Sequence, residues 1–251
     1  MQYIDNYDIT IVGGGCAGLF LAAMLSENLP NAFNILLLEK TKSLGNKLLL
    51  SGNGQCNFTN AGDMKHFSTK YGDKYSFLKP ALYFLSNDKL INIFMSYGIE
   101  SFIRDDLKVF PKSLKAEDIK NVLFNRTLKY PIDIRLNSHV TDIDYQEEVI
   151  TINIAKYGKL NTKKLILCTG GASFSETGSN GDIINLVKKL NIQTNIFKHA
   201  LSVPDLIPLT ALKFNLLAGI TLPNATFSLL RKDKKIITRS GSILFTHKSL
   251  S

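Results

Sequence analysis

Three glycines and one glutamate near the amino terminus have the spacing of a dinucleotide-binding turn. Gly13, Gly15 and Gly18 follow the pattern G-x-G-x-x-G, and Glu39 follows about 20 residues later. In such a turn the first glycine lets the chain leave a strand sharply, the second lets backbone N–H groups approach a pyrophosphate, and the third allows close helix–sheet packing. The carboxylate can accept hydrogen bonds from ribose hydroxyls and would repel a 2′-phosphate. The pattern therefore predicts a site for FAD or NAD rather than NADP.

The surrounding residues predict the βαβ unit that this turn requires. We expect a strand over Tyr7–Gly13, a helix over Cys16–Asn28 and a second parallel strand over Asn34–Glu39. The amino terminus of the helix would then direct its partial positive charge at the phosphates. The alternative is an ordinary βαβ unit with a glycine turn. The strand, helix and acid all stand at the required places, so the context favours dinucleotide binding.

Composition excludes several classes of protein. The chain has 251 residues and 45% hydrophobic content, enough for one large domain or one domain plus part of another. Its three cysteines are widely spaced without a C-x-x-C motif, which argues against a disulfide framework or a zinc site and favours a reducing cytoplasm. The net charge is +9, but the lysines are scattered, so we expect no nucleic-acid partner. No segment is long and uncharged enough to cross a bilayer, so we expect no membrane partner.

A glycine- and asparagine-rich segment, KTKSLGNKLLLSGNGQCNFTN, follows Glu39. It is long for a loop, and long ordered loops inside compact domains are usually functional. Ser51, Gly52, Gly54 and Asn57 offer hydrogen-bond donors to a diphosphate or a flavin ring, and Lys47 can neutralise phosphate charge. The alternative is a connector with no contact to a ligand, and composition alone favours neither reading. Cys56 has no cation beside it in sequence, so we expect a packed, inert thiol.

The rest of the chain continues the α/β pattern and then leaves it. We expect the following elements: helices within Ser76–Tyr97 and over Lys115–Tyr130, a third parallel strand over Ile132–Leu136, a β-meander over Val140–Tyr145, Val149–Tyr157 and Lys163–Cys168, a returning strand over Leu165–Gly171, and a helix over Asp182–Leu190. Beyond Lys198 prolines separate short β-like runs. There we expect antiparallel strands over Phe214–Ile220, Asn224–Arg231 and Lys235–Thr238.

Five strings together resemble one family. They are IVGGGCAGLFLA, GNKLLLSGNGQCNFTN, KVFPKSLKAEDI, CTGGASFSETGSNGD and GSILFTHKSLS. The chain thereby resembles the BaiN-like (YhiN) flavoproteins, which are FAD-dependent oxidoreductases of the glutathione-reductase-like fold group. The resemblance implies an α/β fold: a Rossmann-like FAD-binding domain over residues 1–197, with a parallel sheet plus an antiparallel β-meander. An incomplete β-rich inserted domain would follow over residues 198–251.

The resemblance also implies which residues surround the cofactor, with the two glycine-rich loops enclosing it and Val140 near the adenine. The residues assigned to FAD are Gly13, Gly15, Cys16, Ala17, Gly18, Glu39, Lys40, Lys47, Ser51, Gly52, Gly54, Asn57, Val140, Thr169, Gly170 and Gly171. No catalytic residue and no metal ligand is assigned.

The chain departs from the family in two respects. The family's usual arginine in the second string is Gln55 here, which removes a positive charge. Family members also continue beyond the residues matched here and return to the FAD domain with a strand and helix. The sequence therefore resembles an amino-terminal portion, and we expect the purified chain to carry less than stoichiometric flavin.

Three functions remain open. The first is an oxidoreductase that transfers a hydride through FAD to or from a small organic substrate, with NAD(P)H as electron donor. The second is a truncated, inactive fragment with a partial dinucleotide site that needs a complementing carboxy-terminal segment. The third is an FAD-dependent RNA-modifying enzyme, which the positive charge favours and the absence of a basic stripe disfavours.

Overall fold

The computed structural model describes residues 5–30, 32–194, 209–210, 216–245 and 249–250. The chain divides into two compact units, Met1–Leu201 and Ser202–Ser251. The domain boundary expected between residues 197 and 198 lies outside the described residues and stays a prediction.

The first unit alternates strands and helices from its amino terminus. In chain order its elements are β1 (Asp5–Val12), α1 (Cys16–Asn28), β2 (Ile35–Leu38), α2 (Asn46–Leu50), β3 (Thr59–Asn60), α3 (Met64–Tyr71), α4 (Tyr75–Phe84), α5 (Asn87–Ser96), β4 (Ser101–Ile103), β5 (Lys108–Pro111), α6 (Ala116–Thr127), β6 (Ile132–Arg135), β7 (Val140–Gln146), β8 (Val149–Ile154), β9 (Gly158–Leu167) and α7 (Ile183–Thr194).

A six-stranded sheet in the order β6-β2-β1-β9-β8-β7 organises this unit. Strands β6, β2, β1 and β9 are parallel, and β7, β8 and β9 form an antiparallel meander. β9 belongs to both halves, because it pairs in parallel with β1 and antiparallel with β8. The third strand of the expected meander and the expected returning strand are thus one strand. The α/β, Rossmann-like arrangement with a meander is confirmed.

The hydrophobic core lies on both faces of the sheet, because alternate residues of a strand point in opposite directions. On one face Ile9 and Ile11 of β1 pack with Leu19 of α1 and Leu123 of α6. On the other face the core contains the side chains of Val12, Leu36, Leu38, Ile152, Leu160 and Leu186. The parallel strand β2 is buried over its whole length, as its uninterrupted apolar sequence ILLL requires.

A separate three-stranded antiparallel sheet, in the order β3-β5-β4, stands beside the segment that follows β2. Its strand β5 coincides with the residues KVFP at the start of the third family string. Helix α3 was not expected from the sequence, and none of its residues is buried. The sequence feature that could have indicated the start of this helix is Asp63. Its carboxylate caps the helix by accepting a hydrogen bond from the His66 N–H at 2.7 Å.

The second unit contains an antiparallel hairpin of β11 (Thr221–Arg231) and β12 (Lys234–Leu244), and a short pair of β10 (Leu209–Thr210) with β13 (Ser249–Leu250). The strand expected over Phe214–Ile220 is wrong for its described part: residues 216–219 form a tight turn. Gly219 lies there at φ +92°, a conformation that interrupts a strand. Phe214 and the prolines at 204 and 208 lie outside the described residues.

Candidate functional site

The glycine turn after β1 is shaped by contacts that leave no room for side chains. Gly13 has φ +105°, and a Cβ there would lie 2.5 Å from the Cys168 carbonyl oxygen. A Cβ on Gly18 would lie 1.9 Å from the carbonyl oxygen of Gly13, because α1 passes directly against the turn. Gly15 differs, since a Cβ there would meet nothing within 4 Å. Gly13 and Gly18 therefore allow backbone atoms to approach closely, whereas Gly15 leaves space open at the amino terminus of α1.

The carboxylate of Glu39 is held at the end of β2 by two backbone groups. Its Oε2 accepts a hydrogen bond from the Gly14 N–H at 2.8 Å, and its Oε1 accepts one from the Thr41 N–H at 2.8 Å. The residue is 9% exposed and lies in the wall of a crevice. Each carboxylate oxygen has a further lone pair, so both can still accept a hydroxyl group. Glu39 thus links the two strand ends as well as offering acceptors.

Two lysines from the segment after β2 contact the segment that follows β9. The Lys47 ammonium donates to the Ser173 carbonyl oxygen and the Ser179 hydroxyl. The Lys40 ammonium donates to Asn180 Oδ1 at 3.1 Å and lies 3.5 Å from Asp182 Oδ2. Within the described residues, Lys47 has no carboxylate partner, so its charge is available to an anion in the crevice.

The crevice has a volume of about 780 Å³ and opens where the parallel strands end, the edge at which sheets of this kind bind ligands. The expected site residues found in its wall are Gly13, Gly15, Cys16, Ala17, Glu39, Lys40, Lys47, Ser51, Asn57, Val140, Thr169 and Gly170. The remaining expected residues, Gly18, Gly52, Gly54 and Gly171, are not in the wall. Gly18 packs beneath the turn, and Gly52 and Gly54 have positive φ values within the turn that carries Ser51 and Asn57.

Part of the wall was missed by sequence reasoning. An apolar part contains Phe20, Phe58, Leu85, Leu90 and Phe94. Helical periodicity predicts which side chains pack against the core, but it does not indicate whether a packed side chain also faces a cavity. A polar part contains Ser138, His139, Asn180 and Asp182. Of these four only Asp182 lay in an expected element, the helix over Asp182–Leu190.

The three cysteines differ in access to the crevice. Cys56 is 1% exposed, and burial raises the pKa of its thiol, as expected for a packed cysteine. Burial also raises the pKa of Cys168. Cys16 is the first residue of α1 and faces the crevice, through which its side chain is accessible. The protein around it raises the pKa of the Cys16 thiol, first by desolvation and second through the nearby Cys56.

We expect iodoacetamide to alkylate Cys16 slowly at neutral pH, with a rate that still increases above the ordinary thiol pKa, because only the thiolate reacts. We expect FAD to slow this reaction in proportion to its occupancy of the crevice. Peptide mass mapping measures the label, and Cys16→Ser identifies the peptide. Labelling of Cys16 at the same rate with saturating FAD would show that the cofactor binds elsewhere.

Neither a metal-binding cluster nor a membrane-spanning helix is found in the described part of the chain. No group of three or more His, Cys, Asp or Glu side chains there is arranged to bind a metal ion. No described helix combines the length and the apolar character that crossing a membrane requires.

Comparison with known proteins identifies the family. The family model described as the HI0933-like protein Rossmann domain matches residues 7–219, which include the glycine turn, Glu39 and the crevice. The chain belongs to this HI0933-like family. The resemblance to the BaiN-like (YhiN) flavoproteins is thereby confirmed. The cofactor of this family is FAD. The turn, the amino terminus of α1, the Glu39 acceptors and the unpaired Lys47 charge fit the parts of a dinucleotide that must be held.

Two curated relatives of this HI0933-like chain are informative. A protein of Haemophilus influenzae named ribosomal RNA dihydrouridine synthase is 28% identical over 100% of the chain and 59% of its own length. A protein of Clostridium scindens named 3-dehydro-bile acid delta(4,6)-reductase is 25% identical over 93% of the chain and 53% of its own length. The chain therefore spans between about half and three fifths of these relatives.

A solved structure supports the fold alone. Quinol fumarate reductase of E. coli superposes with a TM-score of 0.51 and 18% identity, covering 68% of the HI0933-like chain and 34% of the other chain. At this level of identity the similarity concerns the Rossmann-like arrangement and not the substrate.

Proposed function

We propose that the chain is the FAD-binding part of a flavoprotein oxidoreductase. The observation that carries the proposal is the convergence of the glycine turn, the Glu39 carboxylate and the Lys47 ammonium on one crevice at the carboxyl ends of the parallel strands. The glycine turn and Lys47 suit the diphosphate of an adenine dinucleotide, and Glu39 suits its ribose.

The residues of this chain have separate binding roles in the proposal. The N–H groups at the start of α1 and the Lys47 ammonium bind the diphosphate, because both carry positive charge. The free lone pairs of Glu39 accept the ribose hydroxyls, and a 2′-phosphate is excluded by charge repulsion. Val140, 5% exposed at the start of β7, contacts the adenine. The loops around Ser51 and Thr169 enclose the rest of the cofactor.

When bound, FAD carries a hydride between a donor and an acceptor at its ring system. The chain contributes binding, orientation and exclusion of water, which the apolar wall around Phe20 and Phe94 supports. NAD(P)H is the proposed electron donor and a carbon–carbon double bond next to a carbonyl group is the proposed acceptor. The names of both relatives support this acceptor, since the products they describe arise by reduction of such a bond.

The relatives are longer than this chain, which supports a role for a further segment. We propose that a complementing segment completes the flavin site, on the same or on a separate polypeptide. Adding such a segment should then raise FAD affinity. The alternative is a fragment that binds FAD weakly and has no activity.

A second candidate function is the modification of RNA, favoured by the name of the Haemophilus influenzae relative. It is in tension with our expectation of no nucleic-acid partner, which stays a prediction. Salt-sensitive binding of the chain to ribosomal RNA fragments would support this candidate.

An equilibrium titration tests the proposed cofactor binding. Purified chain is desalted, its visible absorption is recorded, and FAD, NAD and NADP are then added. We expect less than stoichiometric flavin as purified, a saturable change of the flavin spectrum on adding FAD, and no competition by NADP. Absence of a saturable change would reject the proposal, and full occupancy after desalting would contradict the expected partial occupancy.

Replacement of Lys47 by methionine is expected to lower FAD affinity about tenfold, because the diphosphate loses a charge-assisted hydrogen bond in a partly desolvated site. The affinity of the variant should also depend less on salt than that of the wild type. The control is Lys42→Met, which removes an exposed lysine of the same segment that does not line the crevice. Equal FAD affinities of the two variants would show that Lys47 does not bind the diphosphate.

A further inference from the structure

One guanidinium group contacts the turn that carries Cys56 and Asn57 of the crevice wall. Arg104 lies in the turn between β4 and β5, and its Nη2 donates to Gln55 Oε1 at 2.5 Å. Gln55 directly precedes Cys56 and Asn57, which both line the crevice. The contact therefore joins the β4–β5 hairpin to the turn that carries part of the crevice wall.

The position of Arg104 is defined on a second side. Its guanidinium lies over the ring of Phe110, with 3.9 Å between the guanidinium carbon and the ring centroid. Phe110 is 2% exposed and stacks with Phe102 at 6.0 Å. An arginine stacked on a fixed ring keeps its planar donors in one orientation, so it loses less freedom on binding an oxyanion than a mobile surface arginine would.

The donors of this pair have no acidic partner in the part of the chain that the structure describes. No carboxylate forms an ion pair with Arg104, and the nearby Asp106 is paired with Lys108 at 2.8 Å. The pKa of Asp106 is lowered first by its hydrogen bond with Lys108 and only last by Arg104. Because Gln55 Oε1 accepts from Arg104, the Gln55 amide group presents its N–H donors, so both side chains offer donors to the same surroundings.

We infer that Gln55 and Arg104 form an oxyanion clamp beside the crevice that binds an anionic group of the substrate. The ligand chemistry is a phosphate or a carboxylate, which a guanidinium recognises through paired N–H donors. The inference rests on the proposed function only in locating the substrate at this crevice. The named substrates of both relatives carry such groups, since RNA has phosphodiesters and a bile acid has a carboxylate.

The test measures anion binding by the complete 251-residue chain, without reference to turnover. One arm titrates a short, fluorescently labelled single-stranded RNA by anisotropy, and the other titrates cholate by calorimetry. The variants are Arg104→Gln, which removes the charge, and Arg104→Lys, which keeps the charge without the planar fork. The matched control is Arg239→Gln, which removes an exposed arginine of β12.

We expect Arg104→Gln to weaken binding of at least one probe about threefold to tenfold, the range for a charge-assisted contact discounted for solvent exposure. Arg104→Lys should fall between this variant and the wild type, and Arg239→Gln should not change binding. An effect on RNA alone identifies a phosphodiester, an effect on cholate alone identifies a carboxylate, and an effect on both identifies a general oxyanion site.

Several outcomes would overturn the clamp. They are no binding of either probe by the wild type, no change in Arg104→Gln, or an equal change in Arg239→Gln. A fall of FAD affinity in Arg104→Gln by the same factor would assign Arg104 to support of the turn instead. Failure of the wild type to bind FAD would reject the proposed function and leave the anion measurements valid. Intact FAD binding without an anion effect would reject the clamp alone.

Discussion

Replacing Gly18 with alanine is expected to destabilise the chain by about 3 kcal/mol, the upper part of the range for overpacking. The added methyl group would lie 1.9 Å from the Gly13 carbonyl oxygen, so α1 must move away from the turn. The gain in helix propensity, about 1 kcal/mol, is smaller than this cost. For a chain of this size we expect the midpoint of thermal unfolding to fall by roughly 6 to 12 °C, measured by circular dichroism.

Gly15→Ala is the matched control, because the same methyl group there would meet nothing within 4 Å. We expect its stability to remain within about 1 kcal/mol of the wild type, the scale of a change at a helix N-cap. Its FAD affinity should nevertheless fall at least about tenfold, since the methyl group occupies the space through which a diphosphate approaches the backbone. Equal stability of the two variants would contradict the close contact between α1 and the turn.

Replacing Glu39 with alanine is expected to lower FAD affinity by about 1 to 3 kcal/mol, the usual cost of losing hydrogen bonds to a charged group. This corresponds to roughly 5- to 150-fold in the dissociation constant. The variant should also be less stable, because the N–H groups of Gly14 and Thr41 lose their acceptors. Flavin fluorescence titration and thermal unfolding measure the two effects separately.

Glu117→Ala serves as the control for Glu39, because it removes an exposed carboxylate of α6 that does not line the crevice. We expect it to leave FAD affinity unchanged. If Glu39→Ala lost stability and kept its FAD affinity, Glu39 would be a brace between two strand ends and not a ribose acceptor. The same result in both variants would point to an effect of net charge.

The local patterns of this sequence were sufficient to predict the dinucleotide-binding unit. Helix α1 begins and ends at the predicted residues, Cys16 and Asn28, because a glycine turn precedes it and a continuous apolar sequence forms it. The predicted strands that became β1 and β2 differ from the structure only at their ends. Short-range signals of this kind decide where an element lies along the chain.

The contacts that complete the site could not be read from the sequence, because they join residues far apart along the chain. Lys47 meets Ser179, and Arg104 meets Gln55, through the packing of separate elements. The hydrogen bond from the Gly14 N–H to the Glu39 carboxylate forms only because the ends of β1 and β2 are adjacent in the sheet. Gln55 carries no charge, and the nearest positive charge shown there belongs to Arg104, which donates to it. No motif around residue 104 predicts this contact.

The parallel pairing of β1 with β9 determines when the central sheet can form during synthesis. Asp5 of β1 lies opposite Leu160 of β9. β1 is therefore synthesised long before the strand β9 with which it pairs. Until then β1 has an open edge, and open edges of apolar strands promote aggregation. Closing such a long loop is also entropically costly and slows folding. A nascent chain of this protein should therefore depend on holdase chaperones until β9 has emerged.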